Sequence, residues 1–303
     1  MIGRAAQKVE FSKSRAICAA WPEIYPAPFA FLILFAISAT AFSQQGNPPT
    51  DALTKNPGDL TNILIEDEAV KEALITPSPL DPILEPWERF KRELQEQVGL
   101  KVGIAHTSAY QNANTNFAGQ CDAAGGILAI LGDWQLWGEG TGYSGRLAFR
   151  FQDRHNLSSG PANLQTFGIL AGSLWPAAVA YSEFNFSLLE LWWEQSLIQD
   201  SAGFRVGKII PFAVHDYSFL KNPTTSFMNA PFSLNATIPY TLVGLGAAGV
   251  VRPVPEIYVV GGIYDANGRA ETSGFNTFFN QKEYLKMVDI GFDPGYINPE
   301  TSL

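Results

Sequence analysis

Three arginines spaced by four (Arg146, Arg150 and Arg154) and a triplet spaced by two (Glu190, Trp192 and Glu194) are the residues of this chain best equipped for chemistry. Successive side chains of a strand point to opposite faces, so on strands each set would line one face. A guanidinium carries up to five donors, and a row of them facing glutamates sets up a transverse field and can hydrogen-bond hydroxyl-rich solutes. Trp192 can stack on a pyranose ring. The same residues fit a blander role equally well, as ion pairs that stiffen a wall with Trp192 filling space. Two glutamates also invite a glycosidase reading. Four residues along a strand separate them by about 13 Å, too far for either hydrolytic geometry. His106, His155 and His215 make no HExxH or other metal spacing, and there is no GxSxG. No catalytic residue, metal or cofactor is therefore expected.

The elements that must position these groups are strands of period two. In Gly145–Arg154, Leu147, Phe149 and Phe151 alternate with Arg146, Arg150, Gln152 and Arg154. In Gly126–Trp137, the apolar face is Leu128, Ile130, Gly132, Trp134 and Leu136, opposite Asp133 and Gln135. Asn185–Leu197 turns Leu189, Leu191, Trp193 and Leu197 outward, with Gln195 on the same side and so expected near an interface. Lys101–Tyr110 is another candidate strand. Gly203–Ile210 places Phe204, Val206 and Ile210 outward, with Lys208 obliged to snorkel. Val243–Val251 is rich in Gly and Ala, Ile257–Tyr264 is apolar on both faces, and an eighth strand sets Val288, Ile290 and Phe292 against Met287 and Asp289. One greasy wall and one charged wall, repeated behind a secretory leader, predict an all-β fold: an antiparallel transmembrane β-barrel with a short N-terminal helix. Trp134, Trp137, Tyr143, Trp175, Tyr181 and Tyr240 near strand ends suit an aromatic girdle. In a soluble β-sandwich the same residues would be core.

Composition agrees. The 303 residues are 16% charged and 13% aromatic, against about 25% charged in ordinary globular chains. Outside the N-terminus no apolar run reaches the ~20 residues of a membrane helix, so a membrane form must be a closed barrel. The net charge is −9; residues up to Ser43 carry +2, leaving −11 on the remainder. Nucleic-acid binding is excluded on that balance. With Cys18 and Cys121 alone, and the first in the leader, no disulfide framework is expected.

Phe29–Phe42 has the length of a signal h-region, preceded by basic residues and followed by small-x-small at Ala39–Ala41 or Ala41–Ser43. A cleaved signal over residues 1–43 is expected; an uncleaved anchor is the alternative. Pro22, Pro26 and Pro28 in a long leader point to a true start after Met1. Residues 44–86 are rich in Pro, Asn, Asp and Glu and read as a flexible periplasmic segment. Residues 87–99 follow as an amphipathic helix, with Trp87, Phe90, Leu94 and Val98 on one side. That helix either plugs or caps one end of the barrel, or is a spacer with one sticky face. Residues 100–303 form the β-domain. His215–Tyr240 is long for a connection and holds Asp216, Asn222 and Asn229 among aromatic residues, a mixture suited to sugars. It is expected to fold into the lumen, the alternative being an external loop without solute contact.

Taken in order, the Trp-led helix, GDWQLWG (132–138), LAFRFQDRHNL (147–157), LWWEQSL (191–197), RVGKI (205–209), NPTTSFMNAPF (222–232), GLGAAGVV (244–251) and GGIYDANG (261–268) resemble the carbohydrate-selective, OprB-type outer-membrane porins of Gram-negative bacteria. The resemblance implies a pore of about sixteen antiparallel strands that passes mono- or oligosaccharides by diffusion. Its partners would be sugars and outer-membrane lipid, with the oligomeric state open. The pore-lining residues would be Arg146, Arg150, Arg154, Glu190, Trp192, Glu194, Asp216, Asn222, Asn229 and Asp265. The chain departs from the family in offering about eight strands and ending at Leu303 without a terminal aromatic residue. The expectation is the N-terminal half to two-thirds of a porin, from a truncated gene or an incomplete sequence, and a non-functional truncated porin is one alternative. A secreted carbohydrate-binding β-sandwich and a periplasmic hydrolase are the others.

Overall fold

A computed structural model of the chain describes residues 16–17, 59–68, 79–117, 119–138, 141–198, 201–215, 222–224, 227–234, 241–254 and 256–292. Eight strands form one antiparallel sheet: β1 (Leu100–Asn112), β2 (Asp122–Trp137), β3 (Gly145–Asn156), β4 (Phe184–Leu197), β5 (Ala202–Ile209), β6 (Gly244–Val254), β7 (Ile257–Asp265) and β8 (Tyr284–Phe292). Each pairs with its neighbours in sequence, and the sheet is open, with β1 and β8 at its edges. Connections at one end are short: residues 138–144, 198–201 and 255–256. At the other end they run over residues 113–121, 157–183, 210–243 and 266–283.

The two faces of the sheet are chemically opposite. Leu128, Ile130, Trp134 and Leu136 of β2 share the bare face with Leu147, Phe149 and Phe151 of β3 and with Leu191, Trp193 and Leu197 of β4. Val288, Ile290 and Phe292 of β8 are 71%, 75% and 70% exposed there. Aromatic rings brace this face: Phe151 stacks on Phe186 at 5.6 Å, and Trp137 meets Trp193 at 4.7 Å. Phe149 lies over Gly132, where any side chain would collide with the ring. A contiguous apolar surface of this extent marks an interface with something other than water.

The opposite face is covered. Helix α1 (Leu60–Glu68) lies on it, with Leu60 and Leu64 packed among Leu131, Ala148, Trp192, Ile209, Val214, Val250 and Val260. Helix α3 (Leu164–Leu170), capped by Asn163 through its bond from Thr166 N, covers the long-connection end with Ala123, Ile127 and Tyr181. Helix α2 (Asp81–Val98) leads into β1 and stops at Gly99 in the left-handed conformation, φ 72°. Trp134 Nε1 donates to Val98 O at 2.9 Å. Two short helices, α4 (Pro211–His215) and α5 (Ala230–Ser233), fall within the 210–243 connection.

Several expectations change. Residues 44–86 contain α1, whose Leu60, Ile63 and Leu64 are spaced as one apolar face; it is this helix, not α2, that fills the covered face. The helix expected at 87–99 begins at Asp81, because Pro82 falls in the first turn where its missing N–H costs nothing. Leu189, expected outward, is fully buried. The β3–β4 register shifts between Arg150/Phe151, which makes Leu189 the extra residue of a bulge that packs with Ile210 and Val243. Ile210 lies beyond the end of β5 and is buried rather than outward, and Tyr181 is buried rather than part of a girdle. Tyr240 lies outside the described residues. Lys208, expected to snorkel, is instead buried, its Nζ donating to Leu188 O, Ala270 O and Thr272 O, each at 2.7 Å. Gln195 sits at the strand end and donates to Ser144 O at 3.0 Å. Of residues 1–43 only Ala16–Ile17 is described, paired with Thr115–Asn116. Cys121, where no disulfide is expected from the sequence, is disulfide-bonded. The described strands form one large sheet and this small pair, so the second facing sheet that a sandwich needs is not among them.

Candidate functional site

Alternation along β2 to β5 delivers the charged groups to the covered face, and cross-strand register sets which of them meet. Arg146 stands opposite Glu194, Arg150 opposite Glu190, and Glu194 opposite Arg205. Gly207 pairs with Trp192 at φ 141°; a side chain at that position would strain the backbone and press on Trp192.

The result is a closed ring of contacts. Arg146 Nη2 pairs with Glu194 Oε1, and Arg146 Nη1 lies 3.5 Å from Asp133 Oδ2. Glu194 Oε2 accepts from Arg205 Nε at 2.8 Å and lies 2.6 Å from Nη2. Arg205 Nη1 donates to Asp59 Oδ2 at 2.7 Å. Asp59 Oδ1 accepts from Thr61 N at 3.0 Å, and Thr61 Oγ1 donates to Asp133 Oδ2 at 2.8 Å, which closes the ring. Arg205 is fully buried and its guanidinium sits 3.8 Å from the centroid of Trp192. Cation–π contact and two carboxylates thus compensate a charge that would be prohibitive alone.

Beside the ring, Arg150 Nε lies 2.7 Å from Glu190 Oε2 without hydrogen-bond alignment, and Arg150 Nη2 has no partner among the described residues. Arg154 stands apart from the acids. Its Nε donates to Gln152 Oε1 and its Nη1 to Ser182 Oγ, both at 2.8 Å, and the guanidinium caps Phe184 at 4.8 Å.

Of the residues singled out by sequence, Arg146, Arg150, Glu190, Trp192 and Glu194 are brought together. Asn222 and Asn229 belong to the 210–243 connection, whose segment 227–234 docks on the 157–183 connection through Val179 N to Met228 O and Ala230 N to Pro176 O. Asn222 Oδ1 accepts from Thr224 N and Oγ1, at 3.1 and 2.6 Å. Its Nδ2 and Asn229 Oδ1 have no partner among the described residues. Asp216 lies outside the described residues. Asp265 has the opposite parity to Tyr264 and organises its own turn, accepting from Thr277 Oγ1 and from Asn267 N at 2.9 Å.

Residues that sequence alone did not single out complete the site. Arg205 was legible from its alternation with Phe204 and Val206. Asp59 was legible as an N-cap before an apolar helical run. His215 was not: its Nε2 faces the Tyr264 hydroxyl at 2.6 Å and its Nδ1 faces Asp289 Oδ2 at 2.5 Å. Burial pushes this imidazole below the usual histidine range, against the upward pull of Asp289. A neutral ring then donates from Nδ1 to Asp289 and accepts the tyrosine hydroxyl at Nε2.

No helix among the described residues is long and apolar enough to cross a membrane. No family model and no curated protein matches the chain. Among solved structures, the OprB of Pseudomonas putida at high pH aligns with a TM-score of 0.44 and 11% identity, over 62% of this chain. The chain spans 46% of that protein's length, and a likeness of this size identifies no family.

Proposed function

We propose that this chain forms part of an outer-membrane β-barrel pore for passive diffusion of carbohydrates, its sheet closing with further strands. The single observation that carries the reading is the pairing of a bare apolar face with a face of buried arginines and carboxylates in one sheet. A lipid-facing wall and a polar lumen require that division. Short connections at one end and long ones at the other support it, since such barrels have short periplasmic turns and long external loops. Arg146, Arg150, Glu190, Trp192 and Glu194 would line the constriction, offering donors, acceptors and a ring face to a sugar. Asn222 and Asn229 would approach from the external side. Passive diffusion calls for no catalytic group or cofactor from the protein.

Reconstitution into liposomes tests the reading. The protein should need detergent to remain monodisperse, and vesicles containing it together with the strands that close its sheet should swell in iso-osmotic glucose. A chain that is monodisperse in plain buffer and leaves vesicles tight to every sugar would overturn it.

A further inference from the structure

The covered face is already occupied, and by a ligand that belongs to the chain. We infer that the start of α1 is a tethered mimic of a sugar acid: Asp59 and Thr61 fill a site for a polyhydroxy monocarboxylate, which competes with the helix for Arg205 and Asp133. This rests on the pore reading and names the solute class of the same site.

Three observations carry it. Arg205 is aimed: Nε donates to Glu194 at 2.8 Å, Nη2 lies 2.6 Å from the same carboxylate and the guanidinium sits over Trp192, which leaves Nη1 turned toward a further anion. Asp59 Oδ2 takes that donor at 2.7 Å. Two residues on, the Thr61 hydroxyl donates to Asp133 Oδ2 at 2.8 Å. One carboxylate for a guanidinium and one nearby hydroxyl for a carboxylate are what an aldonate or uronate presents. The charge count agrees. On β2 to β5 the covered face sets Arg146, Arg150, Arg154 and Arg205 against Asp133, Glu190 and Glu194, and Lys101 of β1 stands opposite Asp133, so Asp59 enters a face with an excess of positive charge. Further round the sheet, Arg252 over Tyr258 and Asp289 beside His215 offset one another in sign. Leu60 and Leu64 also anchor the helix in the apolar cluster, so a competitor for the polar pair frees the first turn before the rest of the helix.

A competitor at this site would displace the first turn of α1 while the sheet stays folded. Neutral sugars lack the carboxylate and would leave Arg205 with Asp59.

Hydrogen exchange on the full chain in detergent micelles is the test, with sodium gluconate, glucose, and sodium chloride at matched ionic strength as probes. Gluconate should accelerate exchange over residues 60–68 at least tenfold, with glucose and chloride leaving it unchanged. In parallel, equilibrium dialysis should show Asp59→Asn, which keeps the capping oxygen but not the charge, binding gluconate at least tenfold more tightly than the parent. Equal acceleration by chloride would reduce the effect to screening and overturn the inference. So would an α1 indifferent to gluconate, and so would the absence of any gain of binding in Asp59→Asn. Both readouts are independent of conduction. Vesicles that swell in glucose while gluconate does nothing to α1 would therefore sink this inference and leave the pore reading standing.

Discussion

The guanidinium of Arg205 sits over the indole of Trp192, 3.8 Å from its centroid, and both side chains are buried. The pair links the acids of the sheet to Asp59 of α1. Arg205→Ala would leave Asp59 buried without its partner and Glu194 with Arg146 alone, and removing one member of a buried pair costs about 3–5 kcal/mol. Arg205→Lys should recover little, because a single ammonium cannot reproduce the stacked, forked geometry. The midpoint of urea unfolding in micelles measures both. A lysine variant as stable as the parent would show the fork to be immaterial.

Arg150 and Glu190 form a more isolated pair. Glu190 is buried, so Arg150→Ala should destabilise the sheet by about 3 kcal/mol, more than the free loss of charge that sequence alone implies. Adding Glu190→Gln should restore most of it, since the uncompensated charge is then gone. The double-mutant cycle reads the coupling. A double variant no more stable than Arg150→Ala would place the loss in packing instead. In a conducting form, Arg150→Ala should move ion selectivity toward cations and weaken block by sugar.

Leu191 stands on the bare face opposite Phe149 and Lys208. In a bilayer, Leu191→Arg should cost about 2–4 kcal/mol near the midplane and less toward the interfaces. On a solvent-facing sheet the same change would stay within about 0.5 kcal/mol. Folding titrations into lipid vesicles distinguish the two.

His215 ties α4 to β7 and β8. Its pKa in the folded chain is depressed by burial, so between that value and the ordinary histidine value of about 6.5 the unfolded chain binds more protons. The stabilisation is complete above the ordinary value and is lost as pH falls below it. Local opening at Pro211–His215, followed by hydrogen exchange, should become easier on acidification. His215→Gln should flatten that dependence. A profile unchanged by the substitution would place the titration elsewhere.

Alternation made much of this architecture legible. Period two along β2, β3 and β8 assigned faces correctly, and Lys208 was readable as a misfit on the bare face, although backbone carbonyls and not water receive its charge. It failed where local geometry breaks the period. The extra residue at Leu189 reverses a side chain through a register shift that no single strand records. Asp59 and α1 were obscured by their polar flanks, since composition over forty residues hides a nine-residue helix whose caps and spacing are plain at closer range. The Tyr264–His215–Asp289 contact joins three elements far apart in sequence and leaves no trace in any one of them.

The central claim is that one face of this sheet touches lipid, and nitroxide accessibility read residue by residue along β8 and β4 tests it most directly. In vesicles, labels replacing Val288, Ile290, Leu191 and Trp193 should collide readily with oxygen and poorly with a water-soluble nickel chelate. Labels replacing Met287 and Ser196, of the opposite parity, should lose that preference for oxygen. Nickel access as high at Ile290 and Leu191 as at an exposed loop position would show that the bare face meets water, and would contradict the account.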